Sequence, residues 1–177
     1  MVEILKRVEQ IPAAYPAKPG NLSDEADALD AGLIWGRIES YTAHRFSVRE
    51  VVWTVEGPGD WVPDLTPVTI SAIEFWEQGN WFEAFPVSNP LGGYELCVEG
   101  PYRITATAGG GDAPAAILEA YKRLAEYSAG ERGAAGASSQ VVSVGPITDE
   151  VRRNPAWLAR AVQNCGAGDL LRPYRRA

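Results

Sequence analysis

Between Arg49 and Thr107, two stretches, Tyr94–Val98 and Tyr102–Thr107, alternate between inward-facing and outward-facing residues, as half-buried β-strands do. β-branched and aromatic residues are concentrated in this region, and turn residues interrupt it at 57–60, 79–80, 90–93 and 100–101. This pattern predicts about four to six short antiparallel strands. The clearest candidate strands are Val51–Val55, Val68–Trp76, Tyr94–Val98 and Tyr102–Thr107.

Helical spacing of apolar residues occurs on both sides of this β region. The starts of the helices are marked by capping residues: Ser23 before an acidic turn, Asp112 shortly before Pro114, and Asn154 before Pro155. Gly166 is placed to end the last helix. The three predicted helices run from Ser23 to about His44, from Asp112 to about Ser128, and from Asn154 to Cys165.

Smaller elements are predicted elsewhere. Residues 1–22 contain three prolines and predict an extended lead-in with one short strand or turn. Gly130–Ser139 is rich in Gly, Ala and Ser, which predicts a surface loop or a mobile arm. Gln140–Val144 predicts a short edge strand, and Asp149–Arg153 predicts a turn of helix.

The order of these elements predicts an α+β protein, in which a helical framework of about three helices holds an inserted antiparallel β region and ends in an extended C-terminal arm. A length of 177 residues favours one domain. We therefore expect a single domain over residues 1–165, with the β insertion at about 48–107, and a C-terminal arm over 166–177.

Composition agrees with a globular chain, because 46% of the residues are apolar and 22% are charged. The net charge of −7 is uneven. Residues 1–145 carry 10 basic and 20 acidic side chains, whereas residues 146–177 carry six arginines and three acidic residues. A basic end on an acidic body indicates contact with nucleic acid or with an acidic protein surface, unless the arginines only solvate a terminal helix.

No apolar run approaches the roughly 20 residues that a membrane-spanning helix needs. The first residues, MVEILKRVEQIP, lack the long apolar stretch of a secretory signal. We expect a protein with no membrane contact, located inside a cell or in a particle assembled there.

The residue types that carry chemistry do not form a recognisable motif. Two isolated cysteines, Cys97 and Cys165, and one histidine, His44, match no metal-ligand spacing, disulfide framework or nucleophile motif. We therefore predict no catalytic residues, no metal and no cofactor.

One alternative to this expectation stays open. Glu74, Glu77 and Glu83 lie near Trp76 and Trp81, a combination found in sugar-binding clefts. A small carboxylate-dependent hydrolase, or a module that binds carbohydrate or peptide, is therefore a second hypothesis. Cross-strand packing of a half-exposed sheet explains the same residues more simply.

The C-terminus combines apolar and basic residues after a Gly-Ala-Gly spacer, which is typical of a peptide that orders on a partner. The alternative is that Leu170 and Leu171 pack on the core of their own chain. The predicted partner-binding residues are Leu170, Leu171, Arg172, Tyr174, Arg175 and Arg176.

Three stretches resemble the head–tail connector (adaptor, or head-completion) proteins of long-tailed phages and gene-transfer agents. The first is Leu65–Phe75, which is similar to the Pro-Val strand that opens the sheet in that family. The second is Tyr102–Gly109, followed by Pro114 and the helical stretch Ala116–Tyr127. The third is the closing Leu170–Arg175. The order and spacing of these stretches carry the resemblance, which runs from about Ser23 to the end.

The resemblance implies a structural virion protein located in the neck between head and tail and assembled in the host cytoplasm. It would form a homo-oligomeric ring, a dodecamer in that family, beneath the portal. The ring would extend the DNA channel, let packaged DNA pass without sequence-specific binding, and provide a platform for other neck or tail-terminator proteins. By analogy, the C-terminal segment would bind the portal, with its leucines and tyrosine as apolar anchors and its arginines paired with portal carboxylates.

Overall fold

A computed structural model of the chain describes residues 2–130, 139–144, 147–152 and 159–175. The chain divides into two units. The sheet unit comprises Met1–Pro16, Thr42–Asp112 and Arg175–Ala177, and the helical unit comprises Ala17–Tyr41 and Ala113–Tyr174.

The sheet unit is built on six antiparallel strands in the order β1-β2-β6-β3-β4, with the short strand β5 paired to β6. The two long strands, β2 and β6, pair with each other at the middle of this sheet. The strands are β1 (Glu3–Glu9), β2 (Arg49–Trp61), β3 (Val68–Glu77), β4 (Asn80–Glu83), β5 (Val87–Ser88) and β6 (Tyr94–Ala108).

One face of this sheet forms an apolar core, because alternate residues of each strand point to the same side. In β2, Val51, Trp53 and Val55 are fully buried, whereas the residues between them are partly exposed. The ring of Trp53 meets that of Trp61 edge-on at 5.6 Å between centroids. The remaining buried members of the core are Val2, Leu65, Ile73, Leu96, Tyr102, Ile104, Ala106 and Ala108.

The strand breaks expected at 57–60 and 100–101 do not occur, since both segments lie inside strands. Gly57 is opposite Gly100, and the register shifts between Gly57 and Gly59. A Cβ on Gly57 would lie 2.6 Å from the carbonyl oxygen of Val98. Glycine is therefore needed here for two strands to pass closely, and the apparent turn signals mark an irregularity within a strand.

In its described residues, the helical unit contains five helices, a 3-10 turn and a pair of antiparallel strands. The helix predicted from Ser23 to His44 is two helices, because the chain turns at residues 28–30. The elements are α1 (Asp24–Asp27), α2 (Ala31–Thr42), α3 (Ala115–Ala129), β7 (Ser139–Val144), β8 (Ile147–Arg152), α4 (Ala161–Asn164), α5 (Ala167–Leu171) and a 3-10 turn (Arg172–Tyr174).

The core of the helical unit is formed by α2, α3 and the C-terminal helices. Trp35 and Tyr121 are buried, and their rings lie 5.1 Å apart at a tilt of 46°. Helix α3 presents an apolar face in which Ile117 and Leu124 are fully buried. Helix α3 contacts both α4 and α5.

The predicted fold class, a helical framework with an inserted β region, is wrong. The chain is 36% strand and 29% helix, and its main element is the antiparallel sheet. Local signals underestimated the sheet because β2 and β6 extend through glycine and proline residues that were expected to end a strand. The turn of helix expected at Asp149–Arg153 is also wrong, because residues up to Arg152 form β8, which pairs with β7.

The extended conformation predicted for the C-terminal segment is wrong as well. After Gly166, which has a φ of 73°, the chain forms α5 and the 3-10 turn. The predicted start of the last helix at Asn154 and Pro155, and most of the loop at 130–139, lie outside the described residues.

Other local predictions are confirmed. A helix begins at the predicted cap Ser23, whose Oγ accepts a hydrogen bond from the Ala26 amide at 3.2 Å. A strand covers Gln140–Val144, and the lead-in contains the expected single strand. A helix follows Pro114, although its N-cap is Pro114 and not Asp112.

Ser23 also joins α1 to α3. Its amide and its hydroxyl each donate a 2.8 Å hydrogen bond to the carboxylate of Glu126, and these bonds lower the pKa of Glu126 below the ordinary glutamate value. We expect Ser23→Ala to lower the free energy of unfolding by about 1–2 kcal/mol, because the substitution removes the cap. Urea unfolding followed by circular dichroism measures this loss.

Ser128→Ala is the matched control. The Ser128 hydroxyl donates to the Leu124 carbonyl one turn earlier in α3 and caps nothing. Such a bond adds little to helix stability. Equal losses from the two substitutions would contradict a capping role for Ser23.

Candidate functional site

The predicted partner-binding residues lie in the C-terminal segment, defined here as Leu170–Arg176. Arg172 and Arg175 are exposed, and Leu170 and Tyr174 are half-buried. Leu171, in contrast, is 0% exposed. Arg176 lies outside the described residues. Leu171 is therefore positioned to support the segment from within the core rather than to contact a partner.

Local packing fixes the position of the C-terminal segment after α4. The left-handed conformation of Gly166 separates α4 from α5, and α5 then packs on α3 through the fully buried Ala167 and Leu171. Burial raises the pKa of the nearby Cys165 thiol. Arg172 follows directly at the C-terminal end of α5, where a positive charge is favoured by the helix dipole.

The carboxylates and tryptophans of the alternative hypothesis do come together on the sheet. We call Glu74, Trp76, Trp81 and Arg103 the aromatic cluster. Trp76 and Trp81 are cross-strand partners whose rings lie 5.0 Å apart at 60°, and the Arg103 guanidinium lies 4.7 Å from the centre of the Trp81 ring. Glu74 accepts two hydrogen bonds of 2.6 Å from Arg103.

The electrostatics of the aromatic cluster do not favour acid–base chemistry. The hydrogen bonds from Arg103 keep the pKa of Glu74 below the ordinary value, despite an opposing effect of burial. A general acid at neutral pH needs a raised pKa. Glu83 lies opposite Glu74, and Glu77 lies at the end of the hairpin opposite Asn80. The tilted tryptophans pack on each other as cross-strand aromatic pairs commonly do.

A second charged cluster was not predicted from the sequence. Glu9 of β1 accepts hydrogen bonds of 2.7 and 3.0 Å from Arg45, and Arg7 and Arg49 lie 3.1 and 3.8 Å from its carboxylate. Arg7 also pairs with Asp64. No local pattern indicates this cluster, because the pairing requires the lead-in to join the sheet beside β2.

The single histidine and the two cysteines lie in different parts of the fold: His44 follows α2, Cys97 lies in β6 and Cys165 follows α4. His44 stacks on Phe46 with 4.3 Å between ring centres, and its amide donates to the Thr42 hydroxyl. Cys97 is exposed and Cys165 is half-buried, and both are free thiols. Within the described ranges, His, Cys, Asp and Glu side chains form no group of three or more that could hold a metal ion. None of the helices in those ranges is long and apolar enough to cross a membrane.

Comparison with known proteins does not assign the chain to a family. No protein-family model matches it, and no curated protein matches it.

Proposed function

We propose that this chain is a head–tail connector of a long-tailed phage or gene-transfer-agent particle. In this proposal its copies form a ring, a dodecamer by analogy, which docks on the portal in the particle neck. The ring extends the DNA channel and provides the platform for other neck or tail-terminator proteins. The protein is structural, binds no cofactor and is assembled into the particle in the host cytoplasm.

The positions of the resembling stretches support this proposal. Leu65–Phe75 includes most of β3 and Tyr102–Gly109 includes the end of β6; these strands pair, with Val68 opposite Ala108. Ala116–Tyr127 lies within α3, and Leu170–Arg175 begins on α5, which contacts α3. Stretches far apart in the sequence are thus paired in space, β3 with β6 and α3 with α5.

The charge distribution is the second support. Residues 1–145 have a balance of −10, from 10 basic and 20 acidic side chains. A channel through which DNA slides should neutralise few phosphates, because each neutralised phosphate strengthens binding. An acidic body suits this role, and it leaves the basic C-terminus to bind an acidic protein surface.

The observation that carries the proposal is the exposure of the arginines in the C-terminal segment. Arg172 and Arg175 are exposed, Leu170 and Tyr174 are half-buried, and Leu171 is fixed in the core. Arginine and tyrosine are enriched at protein interfaces, where arginine pairs with carboxylates in a defined geometry. The portal contact is therefore assigned to Leu170, Arg172, Tyr174, Arg175 and Arg176, with Leu171 holding the segment in position.

Peptide mass spectrometry across a density gradient of particles from the producing cells tests the proposal. We expect this chain to sediment with DNA-filled, tailed particles at about the copy number of the portal. Recovery with soluble protein at the top of the gradient, while portal peptides sediment, would contradict a connector role.

Charge reversal tests the assigned segment. We expect Arg172→Glu with Arg175→Glu to lower the amount of chain bound to particles by about tenfold or more, because interfacial charge pairs are replaced by repulsion. Lys122→Glu with Arg123→Glu changes the net charge equally, on α3, and should leave binding within about twofold of the wild type. Equal effects of the two pairs would show that net charge, not the segment, determines binding.

A further inference from the structure

A groove in the helical unit lies between α2 and the start of α4. Its volume is about 820 Å³, which is within the range of pockets that enclose drug-sized ligands. Part of this space exists because Gly36 has no side chain: a Cβ placed there meets no atom within 4 Å. The groove is lined by Gly32, Leu33, Gly36, Arg37, Ser40, Tyr41, Ala159, Arg160, Val162 and Gln163.

The lining of this groove is suited to an apolar segment that carries negative charge. Leu33 and Val162 contribute apolar side chains, and Leu33 is 48% exposed. Among the described residues of the lining, only Arg37 and Arg160 are charged. Neither arginine forms an ion pair with a side chain in the described part of the chain.

The sheet unit contains an exposed apolar segment that carries negative charge. Phe85, which follows β4, is 83% exposed, and Phe82 is 51% exposed, with the exposed Glu83 between them. Further along the chain, Val87 and Leu91 are also exposed, at 67% and 70%. Exposed apolar groups in this number mark interaction surfaces, and phenylalanine is enriched at interface cores.

The Phe82–Phe85 segment and the groove carry opposite charges. Residues 50–102 contain nine acidic side chains and no lysine or arginine. The Phe82–Phe85 segment therefore lies within a uniformly acidic stretch, whereas the groove carries two arginines. A single chain supplies both halves of the match, so a second copy of the chain is the partner that this chemistry favours.

We propose that Phe82–Phe85 of one copy occupies the groove of a second copy, with Phe85 against Leu33 and Val162 and with Glu83 paired to Arg37 and Arg160. The two surfaces differ, so the contact is heterologous, and repetition closes a ring when the rotation permits. This inference deepens the proposed connector function and rests on its ring.

A charge exchange between two variants tests the contact. Glu83→Arg reverses the charge of the segment and leaves the groove unchanged. Arg37→Glu with Arg160→Glu reverses the charge of the groove and leaves the segment unchanged. We expect each variant alone to self-associate about tenfold or more weakly than the wild type, because like charges meet. An equimolar mixture should recover association, since every segment then meets a groove of opposite charge in the alternate copy.

Sedimentation velocity of the purified full-length proteins over a concentration series measures the association, and recovery of the chain on particles provides a second readout. Glu56→Arg is the control: it reverses an exposed charge of the same acidic stretch, on β2, and should leave association unchanged. The proposed contact is overturned if the mixture fails to recover association, if the single variants associate like the wild type, or if the wild type shows no self-association in either readout.

The same experiments separate this contact from the connector function. A chain that sediments with tailed particles and tolerates both charge reversals is a connector with a different contact between its copies. Recovery of association by the mixture, in a chain that never sediments with particles, supports the contact and contradicts the connector function.

Discussion

Replacing Leu171 by alanine should lower the free energy of unfolding of the helical unit by roughly 2–5 kcal/mol, the range for deleting a fully buried leucine. Leu171 is 0% exposed, and α5, on which it lies, packs against α3. The substitution leaves a cavity that the surrounding helices fill only partly. Chemical unfolding by circular dichroism, with hydrogen exchange of the α3 amides, measures the loss.

Leu170→Ala is the matched control, because it removes the same atoms from the preceding, half-buried position. We expect this substitution to cost less than about 1 kcal/mol, since much of the side chain already contacts water. If both substitutions cost little, the C-terminal segment is a free arm in solution and its helical packing is wrong. The comparison also tells which leucine is available to the portal.

Removing the carboxylate of Glu9 should have the second large effect, because Arg45, its bidentate partner, has a side chain only 7% exposed. Breaking a buried ion pair from one side typically costs about 3–5 kcal/mol. Glu9 retains 19% exposure, so we expect Glu9→Ala to lower the free energy of unfolding by about 2–4 kcal/mol. Urea unfolding of the two proteins measures the difference.

Glu74→Ala provides the comparison for this prediction. It also removes a carboxylate that receives two hydrogen bonds from an arginine, but Arg103 is 37% exposed. Exposed pairs contribute about 0–1 kcal/mol, so the loss should be small. Similar losses at the two sites would show that burial of the arginine does not set the cost.

The effect of Glu9 should also depend on pH in a defined direction. Burial acts to raise the pKa of Glu9, but the hydrogen bonds and charge of Arg45, with the charges of Arg7 and Arg49, outweigh it and hold the pKa below the ordinary value of 4.5. The unfolded chain therefore binds the proton more readily than the folded one. The stabilisation is complete above the ordinary pKa and is lost as pH falls through the folded value.

Unfolding of the wild type and of Glu9→Gln across a pH series measures this dependence. The difference in unfolding free energy should be constant at neutral pH and should shrink below the ordinary carboxyl pKa of 4.5. A difference that persists unchanged in acid would show that the glutamine variant loses packing and not charge.

Elements with local signals could be predicted from the order of residues. Ser23 caps a helix because its hydroxyl reaches an amide three residues away. The β-branched and aromatic residues of Val51–Val55 predict a strand, and Val51, Trp53 and Val55 lie on the buried face of β2. The apolar face of α3 follows from helical spacing alone. These features depend on neighbours within one turn of helix or one strand.

Features that depend on residues distant in the chain could not be predicted and are visible only in the folded protein. Glycine and proline at 57–59 look like a turn until Gly57 is paired with Gly100. Glu9 and Arg45 are 36 residues apart and meet only because β1 pairs with β2. Leu170 and Leu171 are the same residue type, and only the packing of α5 on α3 buries Leu171 fully and leaves Leu170 half-buried. The physical reason is common to all three, since burial and pairing are properties of contacts that the chain forms only when it folds.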